Sequence, residues 1–328
     1  MMKRYNEINY LEIFKRSWKV AWNNRYLWWF GFFLALSGSG GGNYYFNTGS
    51  WKKSGSLSDQ KISDIIVQNM HWVAIAIIAI LVIAAIFIVI GVISRGALID
   101  SVGKQLQGKT SDFKSGWREG RKNFWKIFLI RLVLGLFSFL AFVILSLPVV
   151  LLFLNKNYLI GILMAVLAFL IIIPLLVLAA YIRLYGNIYA ILGPLGFWEA
   201  IEKGSALFQK NMASSLVMGL LFIPLGIIMG IASLMLILPV AIPFLISGFI
   251  LYALFSEIGI YIAAIPGAIC LLLIFLAIRA FWEVFAQSAW IIFFSEIAKP
   301  AAAETIAEIE KEPDSIPKAM PAIESEKN

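Results

Sequence analysis

The chain has 328 residues, of which 61% are hydrophobic and only 14% charged, with a mean hydropathy of +0.86 and a formal net charge of +8. That balance excludes an ordinary soluble domain, in which about a quarter of residues are charged, and Cys270, the only cysteine, excludes a disulfide framework or a cysteine-based metal site within one chain. Runs of about 20 uncharged apolar residues, the length a helix needs to cross the roughly 30 Å hydrocarbon layer, recur along the chain.

The first element is an amphipathic helix. Leu11, Phe14, Trp18 and Trp22 fall on one stripe at helical spacing, with Glu12, Lys15, Arg16 and Lys19 off it, so this helix is expected to lie along a membrane surface. The apolar run Tyr26 to Leu36 follows. As helix it spans only about 16 Å, so the first crossing must recruit Ser37 to Gly42, tilt its neighbours, or remain a half-span. Because patterned helix precedes it and no A-x-A site follows, it is not read as a cleaved signal peptide. Ser37 to His71 reads as a loop rich in glycine, serine and asparagine that carries Tyr44, Tyr45, Phe46 and Trp51. Its glycines Gly38, Gly40, Gly41 and Gly42 lack the lysine and the strand-to-helix context of a phosphate loop. Trp72 to Ser94 is then an uncharged crossing that ends Val92-Ile93-Ser94-Arg95.

The opening phrase, Phe14-Lys15-Arg16-Ser17-Trp18, returns as Phe113-Lys114-Ser115-Gly116-Trp117 and, more loosely, as Phe197-Trp198-Glu199-Ala200-Ile201. Seven residues after each phenylalanine stands a small residue, Ala21, Gly120 or Gly204. Recurrence of one such unit implies the same element docked in the same way. The second copy leads into Leu132 to Asn155, a tight turn at Asn155-Lys156-Asn157, and a return over Asn157 to Ile182 that ends Ala180-Tyr181-Ile182-Arg183. The third leads into Asn211 to Ser256 and returns over Ile258 to Ile278, ending Leu276-Ala277-Ile278-Arg279. Pro239, Pro243, Glu257 and Pro266 interrupt this last region, which is long enough for three spans; Pro243 to Phe255 is expected as a re-entrant or short extra helix beside two full spans.

The expected fold is therefore all-α: a polytopic membrane protein with six transmembrane helices in three pseudo-repeated hairpins, each preceded by an amphipathic cytoplasmic surface helix. Residues 1–298 form one membrane domain, with units at about 8–96, 97–184 and 185–280 and a closing amphipathic helix at 281–298; residues 299–328 are expected to be a disordered acidic tail. Lys and Arg concentrate before the first span and in the segments after Ser94 and Arg183, whereas the intervening connections carry only Lys52, Lys53, Lys61 and Lys156. Basic loops stay in the cytoplasm, which places both termini inside a cell membrane and makes nucleic-acid binding unnecessary as an explanation of the charge. A seventh span would put the tail outside.

Several of these segments resemble a known family. Phe14-x-x-x-Trp18, Leu27-Trp28-Trp29-Phe30-Gly31-Phe32-Phe33, Arg95-Gly96-Ala97-Leu98-Ile99, Leu195-Gly196-Phe197-Trp198-Glu199-Ala200 with Gly204, and Ala286-Gln287-Ser288-Ala289-Trp290-Ile291-Ile292-Phe293-Phe294 are similar to bacterial and archaeal polytopic proteins related to the membrane domain attached to some glycerophosphodiester phosphodiesterases. The likeness covers most of residues 8–298 and implies architecture more than activity. The enzyme would need a soluble barrel with paired catalytic histidines and carboxylates holding a divalent cation; here His71 is the only histidine, beside Trp72, with Asp64 its nearest acidic neighbour in sequence.

Catalytic, cofactor-binding and metal-binding residues are thus not expected, and the chain is read as a non-enzymatic membrane protein that organises lipids or partner proteins, with anionic headgroups as ligands of its basic surface helices. The alternative is a transporter or channel for a lipid-like or small apolar or anionic molecule. Arg95, Arg183 and Arg279 are the candidate contacts for an anionic lipid or ligand, against the plainer reading that they snorkel at the interface. For an intramembrane enzyme only Glu283, Asp100 and Arg183 offer chemistry near a cytoplasmic surface.

Overall fold

The computed structural model describes residues 8–38, 70–193 and 195–311, and among them every regular element is helical. In chain order these are α1 (Tyr10–Asn23), α2 (Leu27–Leu36), α3 (Met70–Leu106), α4 (Phe113–Lys122), α5 (Phe124–Leu154), α6 (Tyr158–Leu192), α7 (Phe197–Lys210), α8 (Met212–Phe255) and α9 (Glu257–Lys311). The short polar helices begin on side-chain caps. Asn9 accepts from the Glu12 amide at 3.1 Å, and Asp112 accepts from the Ser115 amide at 3.1 Å, each satisfying one of the donors a helix start leaves open.

Five helices, α3, α5, α6, α8 and the part of α9 up to Ala298, are long and apolar enough to cross a membrane, and α2 is a shorter apolar helix of 10 residues. The chain is a helical protein of multi-pass membrane character. Its packed core sits at one end. In α3, residues 70–90 are almost wholly exposed, whereas Gly91 to Ile99 and Ser101 to Gly103 are buried. The same change falls near Ala179 in α6 and Ala280 in α9. On α5 it comes after Leu134. On the packed side lie α1, α4, α7 and the ends of the long helices; on the other side the long helices stand out as apolar arms. Residues 70–90 make a helix about 31 Å long, the thickness of a bilayer's hydrocarbon layer. Apolar side chains that would be untenable against water are the expected outer surface against lipid.

The short helices dock through small residues. Buried pairs four apart, Ser17 and Ala21, Gly116 and Gly120, Ala200 and Gly204, form the inner face of α1, α4 and α7. A Cβ on Gly120 would run into the Ile93 carbonyl oxygen and come within 2.8 Å of the Ala97 nitrogen, so α4 lies directly on the backbone of α3; a Cβ on Gly204 would come within 2.8 Å of the Gly186 nitrogen, so α7 lies in the same way on α6. The aromatic stripe flanks this seam instead of forming it. On α1, Trp18 meets Phe281 edge-on at 4.9 Å and Phe14 meets Phe285 at 6.2 Å, which seats α1 on α9. Each short helix therefore caps the return helix that precedes it, with α1 closing the set on the last one.

Two stretches differ from their sequence expectation. Helix α8 runs unbroken through Pro224, Pro239 and Pro243, so Pro243 to Phe255 is the end of a 44-residue helix and not a separate segment. In an apolar setting the helix satisfies nearly every other backbone group, and that outweighs the one hydrogen bond each proline removes. Its outer half pairs with α9 along a seam of small residues, Gly267 against Phe244 and Ala263 against Gly248. Helix α9 likewise passes through Pro300 to Lys311, a stretch whose Ala301-Ala302-Ala303-Glu304 is rich in helix formers. The rest of the tail, residues 312–328, lies outside the described residues, as does the loop over residues 39–69 with its glycines and aromatics.

Candidate functional site

The arginines that end the apolar runs come together. Arg95 on α3 is buried at 8% exposure, Arg183 on α6 and Arg279 on α9 are half-buried, and a fourth, Arg131 on α5, joins them from the start of an outgoing helix. The charges of Glu283 and Arg183 act on Arg95, and those of Arg95 and Arg183 act on Arg131. Glu283, 5% exposed, is ion-paired with Arg279 one turn away at 3.4 Å. Four long helices thus carry guanidiniums that each lie within electrostatic reach of another of them or of Glu283. Snorkelling to an outer surface does not describe Arg95, which is enclosed by protein.

The docking seams position these side chains. Gly120 rests on Ile93 and Ala97, the turn of α3 that carries Arg95; Gly204 rests on Ile182 and Gly186, the turn of α6 that carries Arg183. Gly31 of α2 packs on the Ala280 carbonyl and on Val284, beside Arg279 and Glu283 on α9. All four arginines lie within about two turns of the level at which the arms emerge from the packed end.

Polar groups in the same region lack partners. Asn187, 1% exposed and one turn beyond Arg183 on α6, has neither its amide nitrogen nor its amide oxygen hydrogen-bonded among the described residues, and the same is true of Arg183 Nε and the buried hydroxyls of Ser94 and Ser288. Buried polar groups are ordinarily satisfied, so an orphaned asparagine beside a cation cluster marks a place where a further polar group fits. By contrast the neighbouring buried polar seam is complete: Tyr185 donates to Ser215 Oγ at 2.7 Å, Tyr181 to the Ser215 carbonyl at 2.9 Å, and Ser215 to the Asn211 carbonyl at 2.8 Å.

The remaining candidates separate from this cluster. Asp100 is held by Lys104 at 2.7 Å, and His71 is exposed with its ring 5.4 Å from Trp72. Asp64, its acidic neighbour in sequence, lies outside the described residues. Among the described residues no three His, Cys, Asp or Glu side chains gather as metal ligands. The conspicuous aromatics pack on one another, with Phe222 stacked on Trp290 at 5.3 Å and Tyr181 on Phe208 at 4.8 Å. An open groove on α4, lined by Asp112, Lys114, Trp117, Arg118 and Arg121, adds a basic outer surface.

Sequence reasoning finds Arg95, Arg183 and Arg279 by their matching positions at the ends of apolar runs. It reads Arg131, which opens its run instead of closing it, as snorkelling and leaves it out of the candidate contacts, and it passes over Asn187, whose only signal is its spacing of four from Arg183. A model of a family of unknown function, DUF7544, matches residues 25–299, and the chain belongs to that family. No curated protein and no solved structure matches it.

Proposed function

We propose that this member of a family without an assigned activity is a non-enzymatic membrane protein that binds anionic lipid headgroups and thereby organises lipids or partner proteins at a cell membrane. The convergence of Arg95, Arg131, Arg183 and Arg279 where the arms emerge carries the reading. Guanidinium forks match phosphate oxygens bidentately, and partial burial strengthens each contact relative to one in water. The transport alternative lacks comparable support, because the arms between the cluster and their far ends carry no Asp, Glu, Lys, Arg or His side chain to bind a coupled ion.

The arrangement in the membrane belongs to the same proposal. Helix α1 lies at the packed end and α3 starts at Met70 at the far end of its arm, which supports a further crossing between them. With the five long helices the proposed layout has six crossings in three hairpins, with α9 returning to the packed end beside α1. The short helices α1, α4 and α7 carry the Lys and Arg surface, which puts that end in the cytoplasm. With Cys270 replaced, Asn47→Cys is expected to react with an impermeant thiol reagent added to intact cells, and Ser205→Cys on α7 to react only after lysis. Labelling of Ser205→Cys in intact cells would invert the topology.

Binding is tested by the lipids that stay with the protein. Gently extracted and purified, it is expected to retain anionic lipid well above the bulk membrane fraction, and an Arg95→Gln, Arg183→Gln variant to lose that enrichment. Retention at bulk composition by the parent protein would remove the proposal's basis. A stoichiometric protein partner in the same preparation would identify the accessory role.

A further inference from the structure

We infer that, of the three repeated short helices α1, α4 and α7, α4 is the one that docks the headgroup of an anionic membrane lipid. The inference rests on the headgroup-binding reading above and adds a surface contact separate from the buried arginines. By sequence the three helices are copies of one unit, but the structure leaves them differently charged. On α7 the charges cancel, Glu199 and Glu202 against Lys203 and Lys210, and Lys203 is bridged to Glu199 at 3.1 Å. On α1, Arg16 is bridged to Glu296 at 3.4 Å, which leaves the two lysines Lys15 and Lys19. On α4, Lys122 is bridged to Glu119 at 3.9 Å, while Lys114, Arg118 and Arg121 are exposed and form no salt bridge among the described residues.

These three cations share a groove. Spaced four and three apart, they fall on one side of α4, and with Asp112, Ser115 and Trp117 they line an open groove of about 510 Å³. Asp112 is committed to the helix start, its Oδ1 accepting from the Ser115 amide at 3.1 Å. Two of the cations are guanidiniums, whose forks match phosphate oxygens in pairs where a lysine offers a point charge. The place suits a lipid. Gly116 faces Ser101 and Gly120 faces Ile93 and Ala97, so α4 runs antiparallel to the end of α3, towards its arm. The exposed apolar length of α3, residues 70–90, ends one turn from Ile93, so the cations lead from the packed end to the edge of the apolar surface. Aromatic side chains mark that edge: Trp117 lies 6.0 Å from Phe33 of the apolar helix α2, and Trp125, four residues after Arg121, is 67% exposed. Indole rings beside cations are the composition of a membrane interface, where each Lys or Arg near an anionic leaflet adds to the attraction.

The test uses the full chain in neutral detergent micelles, titrated separately with phosphatidylglycerol and phosphatidylcholine, with bound lipid counted by native mass spectrometry. An exposed site is screened by salt, so part of the preference for phosphatidylglycerol is expected to disappear between about 0.1 M and about 0.5 M salt. Arg118→Gln, Arg121→Gln and Lys15→Gln, Lys19→Gln remove equal charge from α4 and from α1. The α4 variant is expected to lose about tenfold in affinity for the salt-sensitive phosphatidylglycerol, and the α1 variant less than about twofold. A parent preference that does not weaken with salt overturns the inference without any variant. Equal losses in the two variants, or an α4 variant with the affinity and salt dependence of the parent, overturn it as well and leave binding at Arg95 and Arg183 standing. A parent that prefers phosphatidylglycerol at neither salt concentration overturns both readings. Displacement of phosphatidylglycerol from the parent by a glutamate-rich peptide at lower concentration reassigns the groove to an acidic protein segment and overturns the inference; failure of the peptide to compete keeps the groove with the lipid.

Discussion

Replacing Gly120 or Gly204 by valine is expected to abolish recovery of stable, monodisperse protein. At both positions the obstacle is backbone: the Ile93 carbonyl and Ala97 nitrogen face Gly120, and the Gly186 nitrogen and α-carbon face Gly204. A flexible side chain can swing aside, but a helix backbone can yield only by moving the whole element. Overpacking a core commonly costs about 1–3 kcal/mol, and a backbone obstacle belongs at or above the upper end of that range. In a membrane bundle close backbone approach is a main source of helix attraction, so the loss has little to offset it. The measurement is the fraction of fluorescently tagged protein that elutes as a single species after heating through a temperature series. Gly135→Ala is the internal control, since nothing lies within 4 Å of a Cβ there and alanine favours the helix; it should be neutral or slightly stabilising. Valine variants as stable as the parent would show that α4 and α7 are not seated where the structure puts them. Because these same turns carry Arg95 and Arg183, partial recovery of a valine variant should come with loss of anionic lipid.

How much of this is visible in the chain depends on whether a feature is local. Apolar runs of span length and the thrice-written phrase are local, and each corresponds to a helix in the structure. The docking face is less legible. Large aromatics dominate the pattern and draw the eye to Phe14, Trp18 and Trp22, but Trp18 is 49% and Trp22 53% exposed. The seam belongs to the small residues three after each phenylalanine, Ser17, Gly116 and Ala200, together with Ala21, Gly120 and Gly204; close approach needs small side chains and leaves the large ones at the margin. Prolines mislead in the opposite direction. Pro239 and Pro243 read as breaks by the rules for helices in water, where an interrupted backbone can bond to solvent; in lipid that outlet is missing and α8 continues. The site is the least local feature of all. Each arginine is legible as the end of a run, but the meeting of four helices is a property of which hairpin packs on which, and nothing in the spacing of Arg131 or Asn187 reports it.

Glu283 sets the balance of the cluster, and its substitution should separate stability from binding. In Glu283→Gln the carboxylate paired with Arg279 disappears while the guanidiniums around Arg95 stay in place. Removing one partner of a buried ion pair typically costs about 3–5 kcal/mol, because the remaining charge is left without compensation. The apo protein should therefore be markedly less stable. Adding Arg279→Gln to this background should return part of the loss, since it removes a charge as well as a partner, and the double-mutant cycle measures that coupling. Anion affinity should move the other way. The carboxylate competes with any bound anion for the same guanidiniums, so its removal raises the affinity of the site even as it weakens the empty fold. A ligand that binds only the folded state stabilises it in proportion to the logarithm of its concentration over Kd, so saturating anionic lipid should restore Glu283→Gln by a larger increment than it adds to the parent. The readout is the thermal midpoint of parent, single and double variants in phosphatidylcholine with and without anionic lipid. If Glu283→Gln melts with the parent when no anion is present, Glu283 does not hold the arginines together; if lipid stabilises both equally, the cluster is not where the lipid binds.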